Sequence, residues 1–183
     1  MNEVKFKRSN KMENLKKFIR NIPDFPVAGI LFRDITTLLK NAAAFKKSVD
    51  ALAAHYKNKK IDMIACVESR GFIFGAALAY KLGTGMVIIR KKGKLPSKKI
   101  SQKYKLEYGF DVIEVHEDAV SSNKNYIILD DLLATGGTSL AAYKLLRKKK
   151  AKIKGFAFLI ELTDLAARKI LPKGVEVFSV LKY

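Results

Sequence analysis

The segment from Tyr126 to Ser139 reads Tyr-Ile-Ile-Leu-Asp-Asp-Leu-Leu-Ala-Thr-Gly-Gly-Thr-Ser. An apolar run that suits a buried strand ends in two adjacent carboxylates, Asp130 and Asp131. A small, hydroxyl-bearing loop follows, Ala134-Thr135-Gly136-Gly137-Thr138, and a helical pattern starts at about Thr138. The amides of such a loop, the hydroxyls of Thr135, Thr138 and Ser139, and the helix N-terminus together form a phosphate cradle. Carboxylates at a strand's C-terminal end suit sugar hydroxyls or a hydrated Mg2+. No Gly-Lys-Ser/Thr closes the loop, so it is not a Walker A loop. The pattern fits one phosphate plus a diol. The plainer reading is a strand–turn–helix corner with a solvated aspartate pair.

Two further clusters suit anions. Glu68-Ser69-Arg70-Gly71 follows an apolar run and reads as a tight turn whose amides and Arg70 face the sheet's C-terminal edge. Its alternative is a surface Glu–Arg pair, which is worth little. Arg90-Lys91-Lys92-Gly93-Lys94 ends another run. Like charges repel, and so dense a group is easier to hold beside an anion. A solvated lysine run is the competing reading, and it suits Lys98, Lys99, Lys103 and Lys105. Leu106-Glu107-Tyr108-Gly109 sets a carboxylate beside an aromatic ring.

These residues must be positioned by regular elements. Apolar runs occur at 61–67, 86–89, 126–129, 155–160 and 175–180. Helical patterns separate them at 72–82, 138–149 and 165–171. Such alternation predicts an α/β fold, a mostly parallel five-stranded sheet covered by helices on both faces. Two regions break the rhythm. Residues 1–40 carry Met12, Leu15, Phe18, Ile19 and Ile22 at helical spacing, then an irregular Pro23–Gly29 stretch, and read as a cap or hood. Residues 91–125 are too long for an ordinary connection and read as a flexible functional loop with a hairpin. The 183 residues are expected to form one domain.

Composition excludes several classes. Cys66 is the only cysteine, so there is no intrachain disulfide framework. His55 and His116 are the only histidines and lie far apart, against a zinc site. No signal peptide or membrane span is visible, so a cytoplasmic protein is expected. The 36 Lys+Arg against 17 Asp+Glu give +19, which asks for an anionic partner. Cys66 reads as a buried small hydrophobe, and Arg147–Lys150 as cations at a helix C-terminus.

The two carboxylates followed by Ala-Thr-Gly-Gly-Thr resemble the phosphoribosyl-pyrophosphate signature of the type I phosphoribosyltransferases. Pro23 to Thr36, Glu68 to Gly75, and Ile89 to Pro96 with Leu106 to Gly109 are similar to segments of its adenine-using branch, in the same order from about residue 12 onward. The resemblance implies transfer of the phosphoribosyl group to adenine, giving AMP and pyrophosphate, with Mg2+ as cofactor. It implies that Asp130 and Asp131 hold the ribose hydroxyls or the metal, and that Ala134 to Thr138 grip the 5′-phosphate. Ser69, Arg70, Arg90, Lys91, Lys94 and Tyr108 would face the pyrophosphate, with Arg70 catalytic. Glu107 would accept the purine proton, since a nucleobase attacking as a neutral heterocycle must lose one. Leu31, Phe32, Arg33 and Leu133 would form the base site, with Phe32 stacking on the ring or serving only as hood core. A homodimer is implied. The alternatives are a hypoxanthine, xanthine or guanine enzyme, or an effector-binding regulator that also binds nucleic acid. An intact loop and a short N-terminus make nucleic acid the weaker partner.

Overall fold

The five apolar runs become five parallel neighbours in one sheet. A computed structural model describes residues 14–105 and 109–183. The chain divides into two compact units, residues 1–51 and 52–183.

In the first unit, a 3-10 turn at Lys16–Phe18 leads into β1 (Arg20–Ile22), antiparallel to β2 (Phe32–Asp34). The helical spacing of Leu15, Phe18, Ile19 and Ile22 is therefore overridden, and Met12 lies outside the described residues. Register puts Arg20 opposite Asp34, and the Arg20 guanidinium donates to Asp34 Oδ2 at 2.9 and 2.6 Å. An ion pair anchored on buried Asp34 and strand pairing thus outweigh local periodicity. Asp34 also accepts from the Thr36 backbone N–H at 2.8 Å, which starts α1 (Thr36–Lys40). Asn41 Oδ1 accepts from Ala44 N–H at 2.9 Å and caps α2 (Ala42–Tyr56).

The second unit contains β3 (Met63–Val67), α3 (Arg70–Leu82), β4 (Gly85–Lys91), β5 (Lys99–Lys105), β6 (Phe110–His116), β7 (Asn125–Leu133), α4 (Gly137–Arg147), β8 (Lys152–Glu161) and β9 (Glu176–Lys182). Strand order is β5-β6-β4-β3-β7-β8-β9. The five strands from β4 to β9 are parallel, and β6 and β5 extend the sheet antiparallel. Much of the long 91–125 connection is thus paired strand, with Lys99 opposite His116 and Lys105 opposite Phe110. The helix expected at 165–171 is instead two 3-10 turns, Thr163–Leu165 and Ala167–Lys169, broken where Ala166 takes φ 49°. Arg168 clamps this segment to buried Glu161 through two bonds of 2.6 and 2.8 Å.

α3 carries the chain from β3 outward to β4, while α4 carries it from β7 the other way to β8. The order reverses between β3 and β7, and the crevice at the C-terminal ends of such a strand pair is where open α/β sheets bind ligands. Tight packing sets that crevice. A Cβ on Gly75 would lie 2.0 Å from Cys66 Sγ, so only glycine lets α3 approach β3 this closely. Gly71, in the first turn of α3, is packed tightly though less so: its Cβ would meet the Asp130 backbone and carboxylate at 3.1 Å.

Candidate active site

β7 runs on through both aspartates to Leu133, further than the apolar run alone suggested. Its pairing with β3 stops at Leu129, whereas its pairing with β8 continues to Leu133. Asp130 and Asp131 therefore project past the end of β3 along an unpaired strand edge. Alternation along a strand separates their surroundings. Asp130 and Leu132 line an open cleft of about 70 Å³ together with Ala134 to Ser139. Asp131 is buried, and Arg70 Nε meets its Oδ2 at 2.9 Å.

Burial, and then the charge of Asp131, push the Asp130 carboxyl well above its ordinary range. Burial likewise raises Asp131, opposed by Arg70. The site holds two carboxylates that resist ionising side by side. A bound cation or a diol able to donate hydrogen bonds would relieve this.

The loop that closes the cleft sets Thr135, Gly136, Gly137 and Thr138 beside Asp130. Gly136 takes φ 86° and ψ −4° at the head of α4, and Gly137 begins the helix. A Cβ on Gly136 would stand 3.1 Å from Ala167 Cβ and 3.3 Å from Ala167 O. Backbone N–H groups in the first turn of α4 have no intrahelical partner, which favours an anion there.

Across the crevice, the Glu68–Ser69 peptide is cis and Arg70 opens α3. Register pairs Val67 with Ile89, so Glu68 arrives beside Arg90. Glu68 gathers the cations: Lys94 Nζ at 2.6 Å, Lys91 N–H at 2.7 Å and Arg90 Nε at 3.3 Å. Burial works to raise this carboxyl, but hydrogen bonds from Lys94, Lys91 N–H and Arg90 outweigh it and hold it below the usual glutamate range. The Lys91 ammonium pairs with Asp111. Arg90 and Lys94 thus share Glu68 through their side chains, while Lys91 reaches it only through its backbone N–H.

Other expectations fare differently. Leu133 is fully buried in the core, because alternation turns it away from the cleft, and Leu132 lines the cleft in its place. Leu31, Phe32 and Arg33 lie in the first unit. Leu31 is exposed, Phe32 meets Phe25 edge-on at 5.1 Å, and Arg33 donates to Asn21. Glu107 and Tyr108 lie outside the described residues. Sequence reasoning missed Glu68, Asp111 and Tyr104 as partners of the site. Only strand register reveals them, since each acquires its role from a neighbour that is distant in sequence. Among the described residues, no group of three or more His, Cys, Asp or Glu side chains could hold a metal by itself. No described helix is long and apolar enough to cross a membrane.

Comparison with known proteins agrees with this geometry. Residues 34–179 match the family model of the phosphoribosyl transferase domain. The adenine phosphoribosyltransferase of Citrifermentans bemidjiense is 54% identical over 172 residues, covering 94% of this chain and all of that one. That of Thermosynechococcus vestitus is 52% identical over 170 residues, covering 93% and 99%. The crystal structure of the Thermoanaerobacter pseudethanolicus enzyme superposes with a TM-score of 0.91 at 49% identity, covering 94% of this chain and 99% of that one. The Saccharomyces cerevisiae enzyme, crystallised with an imino-altritol bisphosphate and adenine, gives 0.89 at 38% identity, covering 94% and 99%. With the family model spanning residues 34–179 and relatives about half identical over nearly the whole chain, the chain belongs to the phosphoribosyltransferase family, in its adenine phosphoribosyltransferase branch.

Proposed function

We propose that this chain transfers the phosphoribosyl group of 5-phosphoribosyl 1-pyrophosphate to adenine in purine salvage, giving AMP and pyrophosphate. The observation that carries this reading is the arrangement at the β3–β7 crevice. A neutral phosphate loop and a cation cluster flank a pair of carboxylates, matching a substrate with phosphate at one end, pyrophosphate at the other and a diol between.

In this reading, the 134–138 loop holds the 5′-phosphate, and Asp130 and Asp131 hold the ribose hydroxyls. Ser69, Arg70, Arg90, Lys91 and Lys94 face the pyrophosphate. As the bond from the anomeric carbon to pyrophosphate breaks, its electron pair leaves with the pyrophosphate oxygen, and these cations stabilise that charge. The adenine ring nitrogen then bonds to the anomeric carbon and gives up its proton, for which Glu107 is the acceptor by sequence resemblance. Tyr108 is assigned to the pyrophosphate side on the same ground. Leu31, Phe32 and Arg33 are assigned to the base, with Leu132 replacing Leu133.

The donor set fits Mg2+. Two carboxylates raised chiefly by burial supply hard oxygen ligands, too few for an all-protein cage but suited to an ion that keeps water and substrate oxygens. When bound, Mg2+ would add positive charge beside the pyrophosphate. We place the enzyme in the cytoplasm as a homodimer. Exposed Ile73 and Tyr80 on α3 and Met86 on β4 offer apolar surface for a second copy.

A base-competition assay tests the reading. Purified protein with phosphoribosyl pyrophosphate and Mg2+ should convert adenine to AMP and ignore hypoxanthine and guanine. Turnover of hypoxanthine without adenine would refute the specificity. Full turnover by Glu107→Ala or Asp131→Ala would refute the assigned roles.

A further inference from the structure

Tyr104 lies on β5, outside every motif, yet its hydroxyl stands at the phosphate loop. It is 3.4 Å from Thr138 Oγ1 and 3.2 Å from Asp111 Oδ2. Asp111 is its directly opposed partner on β6 and also holds the Lys91 ammonium. The Tyr104 ring edge comes within 3.8 Å of where a Cβ on Gly137 would stand, and the Lys105 carbonyl within 3.4 Å. The β5 arm is thus seated on the first turn of α4, and the phenol is half-buried there. Burial raises the phenol above its ordinary range, so it keeps its proton at neutral pH.

We propose that Tyr104 is a positioning residue for the 5′-phosphate, its hydroxyl resting on Asp111 while the cradle is empty and turning to aim the Thr138 hydroxyl at a bound phosphate. This rests on the reading of the 134–138 loop given above. A phenol has one proton to donate and lone pairs to accept with. With the cradle empty, Tyr104 donates to Asp111 and accepts from Thr138. With phosphate present, Thr138 donates to a phosphate oxygen and Tyr104 turns its proton to Thr138 Oγ1, while Asp111 keeps Lys91 as partner. The exchange needs two hydroxyl rotations and no heavy-atom movement. A donor that is itself hydrogen-bonded from behind is polarised and oriented, which strengthens its bond to an anion.

The test uses Tyr104→Phe, which keeps the ring on Gly137, with Thr138→Val for comparison. Calorimetry reads ribose 5-phosphate and pyrophosphate separately, and steady-state kinetics reads both substrates. Losing one such bond should weaken ribose 5-phosphate binding in Tyr104→Phe, and raise KM for phosphoribosyl pyrophosphate, by about five-fold. KM for adenine, pyrophosphate affinity and kcat should stay as in the wild type. In the Thr138→Val background, Tyr104→Phe should add nothing. Wild-type ribose 5-phosphate affinity in Tyr104→Phe, with Thr138→Val weakened, overturns the proposal and leaves the phosphate loop standing. Equal losses for ribose 5-phosphate and adenine also overturn it. Unchanged binding in Thr138→Val removes the phosphate-loop reading, and the proposal with it.

Discussion

Replacing Gly136 by alanine separates backbone strain from crowding at the phosphate loop. Gly136 sits at φ 86°, where an L-residue costs about 1–2 kcal/mol. Its new Cβ would also press on Ala167 Cβ at 3.1 Å, Ile170 Cδ1 at 3.2 Å and Ala167 O at 3.3 Å. Two of these neighbours belong to a buried residue in the segment clamped by the Arg168–Glu161 pair, so they yield little. Overpacking of this kind adds about 1–3 kcal/mol. Gly174 has nearly the same φ, 82°, with nothing within 4 Å of its Cβ position. Gly174→Ala therefore carries the strain without the crowding. At roughly 3 °C per kcal/mol for a chain of this size, Gly174→Ala should lower Tm by about 3–6 °C and Gly136→Ala by about 6–15 °C. Only Gly136→Ala should also raise KM for phosphoribosyl pyrophosphate. Scanning calorimetry and initial-rate kinetics on the two variants provide the comparison. Equal melting shifts, or wild-type KM in Gly136→Ala, would refute the argument.

Three further outcomes follow from the carboxylates and the thiol. Glu68 is held below its usual range by Lys94, Lys91 N–H and Arg90 despite burial, so its stabilisation is present above the unfolded glutamate pKa, about 4.3. That stabilisation is lost as pH falls through the lower folded value, so melting curves of wild type and Glu68→Gln should converge in acid; parallel curves would contradict it. Burial and the Asp131 charge raise Asp130, so its cost to the fold sets in as pH rises past the unfolded aspartate value, about 3.9, and is complete above the folded one. Asp130→Asn should therefore raise Tm at neutral pH while abolishing turnover, and a lowered Tm would count against the account. Burial, then the Asp130 charge, push the Cys66 thiol up to about 12. A thiol reagent should label it only as the protein unfolds, and rapid labelling of the native protein would contradict its place under Gly75.

The parallel core was legible because its inner strands β3, β7 and β8 carry near-continuous apolar runs buried on both sheet faces. The phosphate loop was legible because its chemistry is local, with aspartates, glycines and hydroxyls consecutive in the chain. What escaped depends on register. Glu68 read as the start of a tight turn, with a surface pair to Arg70 as the alternative; β3–β4 pairing gives it Arg90 and Lys94, while Arg70 turns to Asp131. Leu133 and Leu132 differ only in strand phase, and one residue of phase decides which of them reaches the cleft. The N-terminal spacing suggested a helix because nothing local shows that Arg20 will find Asp34 fourteen residues away. The net charge of +19 pointed to an anion, but the cations at the site are few and held by Glu68 and Asp111.

In the proposed enzyme, one crevice binds the two ends of one substrate on opposite sides of the β3–β7 pair. Calorimetric titration of ribose 5-phosphate and of pyrophosphate into Thr135→Val and Lys94→Ala tests it most directly. Crossed losses are expected: Thr135→Val weakens ribose 5-phosphate alone, and Lys94→Ala weakens pyrophosphate alone. If both variants lose the same ligand, or neither loses any, the assignment of the two sides is wrong.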